Sequence, residues 1–315
     1  MLKIAFVGFG SIARRHILNL HTLLGRRGTA HEIDVYRRGK RPIDDPAAAK
    51  AVSHIYDASE VGQQEYDILF ITNPTSTHFE TLRQWAPYAR SVFIEKPVFD
   101  DPDQDLSALS LRPDGVYYVA CPLRYSPVLQ YAKERIDMTK VFSARAICSS
   151  YLPDWRPGTD YRACYSAHKD MGGGVAIDLV HEWDYLTWLM GFPQEVRYFG
   201  GTYSALEIDS DDLAVYMGRY SNRIVELHLD YFGRKSQRTL ELFTAGEVIT
   251  LDLQAGTVSS ASGGNCRTTH LDAARDNYQT AELAHFLDII EGHVPNDNTI
   301  ENATRVLRLA QKGEV

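Results

Sequence analysis

At 315 residues, with 44% hydrophobic and 23% charged side chains, the chain is long enough for two domains with separate cores, and its composition excludes general disorder. A formal charge of -8 argues against nucleic acid or an anionic membrane as partner, since either needs a basic surface to displace counterions. The start, MLKIAFVGFG, enters a strand pattern with no basic n-region, no apolar run reaches the roughly 18 residues of a membrane span, and Cys121, Cys148, Cys164 and Cys266 form no CxxC pair. The expectation is a cytoplasmic protein with reduced, buried cysteines.

From Leu2 to about Ala120, the apolar runs LKIAFVG, HEIDVY, YDILFIT, SVFIE and VYYVA alternate with helix-length amphipathic stretches. Nearly continuous apolar strands suit a parallel sheet covered on both faces, so residues 1–120 read as a doubly wound α/β domain of the Rossmann type. After Cys121 the pattern changes. Ser126-Pro127 is a helix start with a capping residue and a proline at the first position, and KVFSARAICSSYL is strand-like. A turn-rich loop, PDWRPGTDYRACYSAHKDMGGG, leads into the apolar stretch GGGVAIDLVHEWDYLTWL, read as one buried helix. The runs EVRYFGG, DLAVYMG, RIVELHLDYF, RTLELF and EVITLDL follow with few helix signals, which predicts a large, open, mainly antiparallel sheet. Two helices, near Ala273 to Glu291 and Thr299 to Ala310, close the chain. Residues 121–315 are thus expected to form a second α/β domain, with the helix at about 298–312 packing back on the first.

The first turn, VGFGSIA, sets Gly8, Gly10 and Ala13 in a GxGxxA pattern between a strand and a helix. The first glycine allows the tight turn, the second allows backbone to approach a pyrophosphate, and Ala13 allows helix to pack on sheet; Ser11 and Ile12 open the helix whose N-terminus faces the phosphates. Where an NAD enzyme carries Asp or Glu after its second strand, this chain has Arg37 and Arg38, which suit a 2′-phosphate and favour NADP over NAD; Asp34 is the alternative ribose acceptor. Ligands of an open parallel sheet lie beyond the carboxyl ends of the strands, so Thr72, Asn73, Pro74 and His78 of ITNPTSTH and Glu95 and Lys96 of SVFIEKPV fall on the cofactor rim.

VGFGSIA, TNPTSTH, EKP, LRYSP and GGGVAIDLVHEWD, in this order, resemble the motif set of the Gfo/Idh/MocA oxidoreductase family. The resemblance implies a Rossmann domain followed by an open-sheet α/β domain, and NAD(P)-dependent redox chemistry on sugars, nucleotide sugars, inositols or related polyols. It also implies dimers or tetramers packed through the second sheet. In enzymes of this kind the lysine of EKP and a histidine and aspartate of the later helix act at the reacting carbon. Here they are Lys96, to stabilise the alkoxide and share its proton, His181, as general acid/base, and Asp178, to orient or tune them; a buried lysine could itself be the base. Asp178 and His181 lie three residues apart, whereas the family's DxGxH pattern has four, so the pair is rotated on the helix. HEWDY is not HExxH, because Tyr185 stands where a second metal ligand would be, and no metal is expected.

The loop between strand and helix offers Trp155, Arg156, Tyr161 and Tyr165 to a substrate, with His181 and Arg124 at the domain junction. Aromatic faces bind the apolar faces of pyranose or inositol rings, and arginine binds carboxylate or phosphate. Two other functions share these features: an NAD-dependent glycoside hydrolase that oxidises its sugar transiently, and a dinucleotide-binding regulator without catalysis.

Overall fold

The computed structural model describes residues 1–62 and 64–315. The chain divides into two compact units, Met1–Cys121 with Gln279–Thr304 and Pro122–Tyr278 with Arg305–Val315. The first contains six parallel strands, β1 (Leu2–Val7), β2 (His31–Arg37), β3 (His54–Asp57), β4 (Tyr66–Ile71), β5 (Ala89–Ile94) and β6 (Val116–Val119), in the order β3-β2-β1-β4-β5-β6. The order reverses between β1 and β4, which is the switch point where such sheets bind ligands. Ile4, Phe6, Ile68, Phe70 and Phe93 are fully buried, as strands covered on both faces require. Helix α1 (Ser11–Arg26) buries Ala13, Ile17, Leu20 and Leu24, an i, i+4, i+7 stripe; α2 (Pro46–Ala51) and α3 (His78–Trp85) follow. Strand β3, from HIYD, is too short and polar to stand out in the sequence, and pairing with β2 creates it.

In the second unit Ser126 caps α4 (Pro127–Arg135) by accepting from the Leu129 amide, and β7 (Ser143–Tyr151) enters the sheet. The stretch read as one helix is two: α5 (Val175–Asp178) and α6 (His181–Met190). Leu179 adopts φ -102°, ψ 28°, and the Val180 amide donates to Ile177 rather than to Ala176, so the α-helical ladder lapses. Asp178 and His181 therefore flank a break instead of stacking on one helix face.

The remaining strands are β8 (Glu195–Gly201), β9 (Leu213–Arg219), β10 (Ile224–Asp230), β11 (Phe232–Phe243), β12 (Val248–Asp252), β13 (Thr257–Ser262) and β14 (Asn265–His270), before α7 (Arg275–Ile290) and α8 (Ile300–Lys312). The sheet order is β14-β13-β12-β11-β7-β10-β9-β8, and every neighbouring pair is antiparallel except β7 with β10. RIVELHLDYF does not run as one strand: it ends at Asp230, and Tyr231 turns the chain into β11. The polar β13–β14 hairpin lacks an apolar alternation, and Cys266 on it is exposed, unlike the three buried cysteines.

One face of this sheet packs on Trp183, Tyr185 and Leu186 of α6, through Ala144, Ala146, Leu227 and Leu240. The other is open, with Phe199 71% and Met217 52% exposed, around a depression of about 440 Å³. In the first unit, Phe286 of α7 meets Phe93 edge-on at 5.3 Å, and Asn298 Nδ2 donates to the Val119 carbonyl. Helix α8 is divided between the units: its start, as far as Thr304, belongs to the first, and Arg305–Lys312 to the second, where Val306, Leu309 and Ala310 join the core.

Candidate active site

The glycine turn is built by close packing on one side and open space on the other. Gly8 has φ +95°, and a Cβ there would lie 2.6 Å from the Asn73 amide nitrogen, so no other residue fits. A Cβ on Gly10 would meet nothing within 4 Å. Gly10 precedes a 16-residue helix with no side-chain cap and no acidic residue in its first turn, so the Ser11, Ile12 and Ala13 amides face outward at the positive end of α1. Thr72 holds the turn from beneath, donating through Oγ1 to the Val7 and Gly8 carbonyls at 3.1 Å each.

The sequence places His78 and Glu95 on the rim, but the structure turns both side chains inward. His78 is buried, with Nδ1 3.1 Å from the Pro97 carbonyl and Nε2 3.0 Å from that of Asn73. It ties the loop after β4 to the loop after β5. Burial lowers its pKa, with only partial compensation from these carbonyls. Glu95 meets His16 Nε2 at 2.5 Å through Oε1 and accepts from the Lys96 amide through Oε2. Burial raises its pKa, yet the His16 hydrogen bond and charge, with Lys96, outweigh that and hold the carboxyl below its ordinary range. Asn73 donates to Thr81 Oγ1 at 2.6 Å. Lys96, half-buried, leaves β5 through a cis Lys96–Pro97 bond, and Pro74 opens the short turn before α3.

At the end of β2, the Arg37 guanidinium lies 5.4 Å over the Phe9 ring in the glycine turn, and Arg38 is exposed. Asp34, the alternative ribose acceptor, lies among partners of its own unit. It is 6% exposed and receives Tyr66 OH at 2.9 Å, Gln64 Nε2 at 3.0 Å and His54 Nδ1 at 3.0 Å.

In the second unit, Asp178 Oδ2 accepts from Tyr231 OH at 2.6 Å, and its charge also acts on the Tyr165 phenol. Burial first, and the Asp178 charge second, raise the pKa of both phenols, so both remain donors. Trp155 stands edge-on to Tyr231 at 5.2 Å with its indole N–H on Ser150, and Arg156 lies over the Tyr165 ring at 5.8 Å. Tyr161 accepts from the Glu207 amide. His181, half-buried, is the first residue of α6. Arg124, expected to help bind substrate, is 2% exposed and forks onto Asp184, Nε to Oδ2 at 2.9 Å and Nη2 to Oδ1 at 2.6 Å. The glycine run serves this loop: a Cβ on Gly173 would lie 2.1 Å from the Tyr165 carbonyl oxygen.

Residues 2–110 match the model of the oxidoreductase family with an NAD-binding Rossmann fold, and residues 129–248 match the GFO/IDH/MocA C-terminal domain. The chain belongs to the Gfo/Idh/MocA oxidoreductase family. Within it, an uncharacterised oxidoreductase of Bacillus subtilis (strain 168) is 22% identical over 89% of this chain and 79% of its own. Two solved structures share the fold: levoglucosan dehydrogenase with NADH, with a TM-score of 0.82 at 15% identity, covering 98% of this chain and 95% of that one, and myo-inositol 2-dehydrogenase from Lactobacillus plantarum, with 0.75 at 18%, covering 98% and 95%. This Gfo/Idh/MocA chain is thus an NAD(P)-binding oxidoreductase.

Sequence reasoning missed Tyr231, His16 and the Glu182–Arg238 ion pair. Glu182, fully buried beside His181, lies 2.8 Å from Arg238 Nε on β11. Its acidity, in a largely buried helix, was the available signal, but no local spacing links it to a residue 56 positions away.

Proposed function

We propose that this chain is an NADP-preferring dehydrogenase that interconverts a hydroxyl and a ketone on a sugar or polyol. The observation that carries the reading is the contrast at the glycine turn, where Gly8 packs against Asn73 while Gly10 opens onto an uncapped helix terminus. That cradle fits a dinucleotide pyrophosphate, because a Cβ at Gly10 would fill the open space and the free amides of α1 complement the negative charge. Once bound, the nicotinamide supplies the two-electron redox partner. Arg37 and Arg38 would hold the 2′-phosphate, a preference supported by the two guanidinium groups that the sequence sets where β2 ends and by the enclosure of Asp34.

Lys96 Nζ stabilises the developing alkoxide, and the His181 imidazole takes or returns the hydroxyl proton. Support comes from family membership and from the placement of Lys96 beyond β5 and of His181 at the start of α6. Trp155, Tyr161 and Tyr165 receive the ring faces of the sugar. We extend the reading to a cytoplasmic homodimer or homotetramer joined through the open face of the second sheet.

The test is a panel of sugars, nucleotide sugars and inositols followed at the reduced-nicotinamide absorbance band. Turnover is expected with at least one, with NADPH used more efficiently than NADH, and Arg37→Ala with Arg38→Ala is expected to abolish that preference. Lys96→Ala and His181→Ala are each expected to lower kcat by about 10² to 10⁴. Full activity in both variants, or glycoside cleavage without net change in nicotinamide, would sink the reading.

A further inference from the structure

Glu95 stands next to Lys96 in the chain, yet it is 8% exposed and both of its carboxylate oxygens are engaged. Oε1 meets His16 Nε2 of α1 at 2.5 Å, and Oε2 accepts from the Lys96 amide at 3.1 Å. A buried carboxylate is costly unless partners compensate it, so this one is held in place by both contacts together. His16 is equally confined. It is 1% exposed, its ring stands edge-on to Phe93 at 5.2 Å and 6.0 Å from the ring of Phe70, and its Nδ1 makes no hydrogen bond among the described residues. Glu95 is thus the polar partner of the imidazole, and the close-packed aromatic box blocks other ring orientations. On the far side of Lys96, His78 Nδ1 lies 3.1 Å from the Pro97 carbonyl and 3.2 Å from that of Val98. The backbone that carries Lys96 is held from α1 on one side and from α3 on the other.

We propose that His16 and Glu95 are positioning residues for Lys96: the imidazole on α1 fixes the carboxylate, and the carboxylate fixes the backbone from which the lysine side chain departs. The helix assigned above to the pyrophosphate thereby also sets how Lys96 leaves β5. A lysine loses much rotamer freedom when its ammonium is held at one point, and a fixed backbone leaves only the side-chain torsions to be ordered. The role of Lys96 at the reacting carbon rests on the dehydrogenase reading above; the brace on its backbone does not.

The experiment therefore has one arm without a sugar. Hydrogen exchange at the Lys96 amide is followed by NMR in the whole protein carrying isotope-labelled lysine, with the resonance assigned by its loss in Lys96→Arg. Wild type is compared with His16→Phe, Glu95→Ala, Glu95→Gln and the His16→Phe/Glu95→Ala double variant. His16→Phe keeps an aromatic ring in the box and removes the nitrogen. It and Glu95→Ala are each expected to speed exchange about tenfold, with no further gain in the double variant. Glu95→Gln still offers an oxygen to the amide and is expected to recover most of the protection lost in Glu95→Ala. The second arm is kinetic: His16→Phe is expected to lower kcat on the sugar about tenfold while KM and dinucleotide affinity stay constant. A residue that only filled space in the core would lower the thermal midpoint and leave kcat unmoved. Exchange identical to wild type in either single variant, or a full additional effect in the double variant, overturns the brace even if a sugar is turned over. Faster exchange with kcat intact overturns the positioning of Lys96. Faster exchange in a protein that oxidises no sugar supports the brace and removes the dehydrogenase reading instead. Should Glu95→Ala fail to fold, His16→Phe against wild type decides.

Discussion

Individual side chains at the rim of the first sheet divide into those that shape the turn and those that leave room. Gly8→Ala would force a left-handed φ on alanine and drive its methyl into the Asn73 backbone, a change worth about 1–3 kcal/mol, whereas Gly10→Ala meets no atom. The expected outcome is a lower thermal midpoint for Gly8→Ala, and for Gly10→Ala an unchanged midpoint with dinucleotide affinity reduced about tenfold or more, read by differential scanning calorimetry and fluorescence titration. Glu95 contributes to the acid limb of stability. Its folded pKa lies below the ordinary 4.5, so its contribution is complete above that value and is lost as pH falls through the folded pKa. Glu95→Gln is expected to lower the thermal midpoint at neutral pH and to flatten its decline below about pH 4.5. Neither His78 nor Glu95 could be recognised as an internal brace from sequence. Each lies at a strand end among rim residues, and only its carbonyl or histidine partner on another segment shows which way it points.

Elements of the second unit show how burial overrides local pattern. The continuous apolar stretch from Val175 to Leu189 has helix periodicity throughout, yet the chain breaks after Asp178, whose carboxylate is bound by Tyr231. Helix α6 is then tied to the turn before α4 by the buried Arg124–Asp184 fork. Removing one member of such a pair strands a charge in the core and costs about 3–5 kcal/mol, while replacing both by apolar residues of similar volume is close to neutral. Arg124→Met is thus expected to lower the urea midpoint sharply, and Arg124→Met with Asp184→Leu to restore most of it. Equal loss in the single and double variants would show that the fork contributes through packing alone.

At the scale of the whole molecule, the exposed face of the second sheet carries apolar side chains that its own unit leaves uncovered. Phe199 and Met217 lie among Arg145, Arg197 and Glu226, an apolar centre with a charged surround. If this face joins subunits, Phe199→Arg with Met217→Lys is expected to shift the sedimentation coefficient to that of a monomer while the thermal midpoint of the monomer holds; an unchanged coefficient would place the interface elsewhere. Local pattern alone determined the parallel sheet, the glycine turn, the capped start at Ser126 and the succession of strands after Glu195, because each depends on residues within one or two turns or strands. Tertiary structure decided which rim side chains turn inward, where the apolar helix breaks, that β7 pairs in parallel with β10, and that Asp178 meets Tyr231. Those outcomes depend on buried polar groups finding partners far along the chain, and the cost of leaving such a group unpaired exceeds any local preference of the residues beside it.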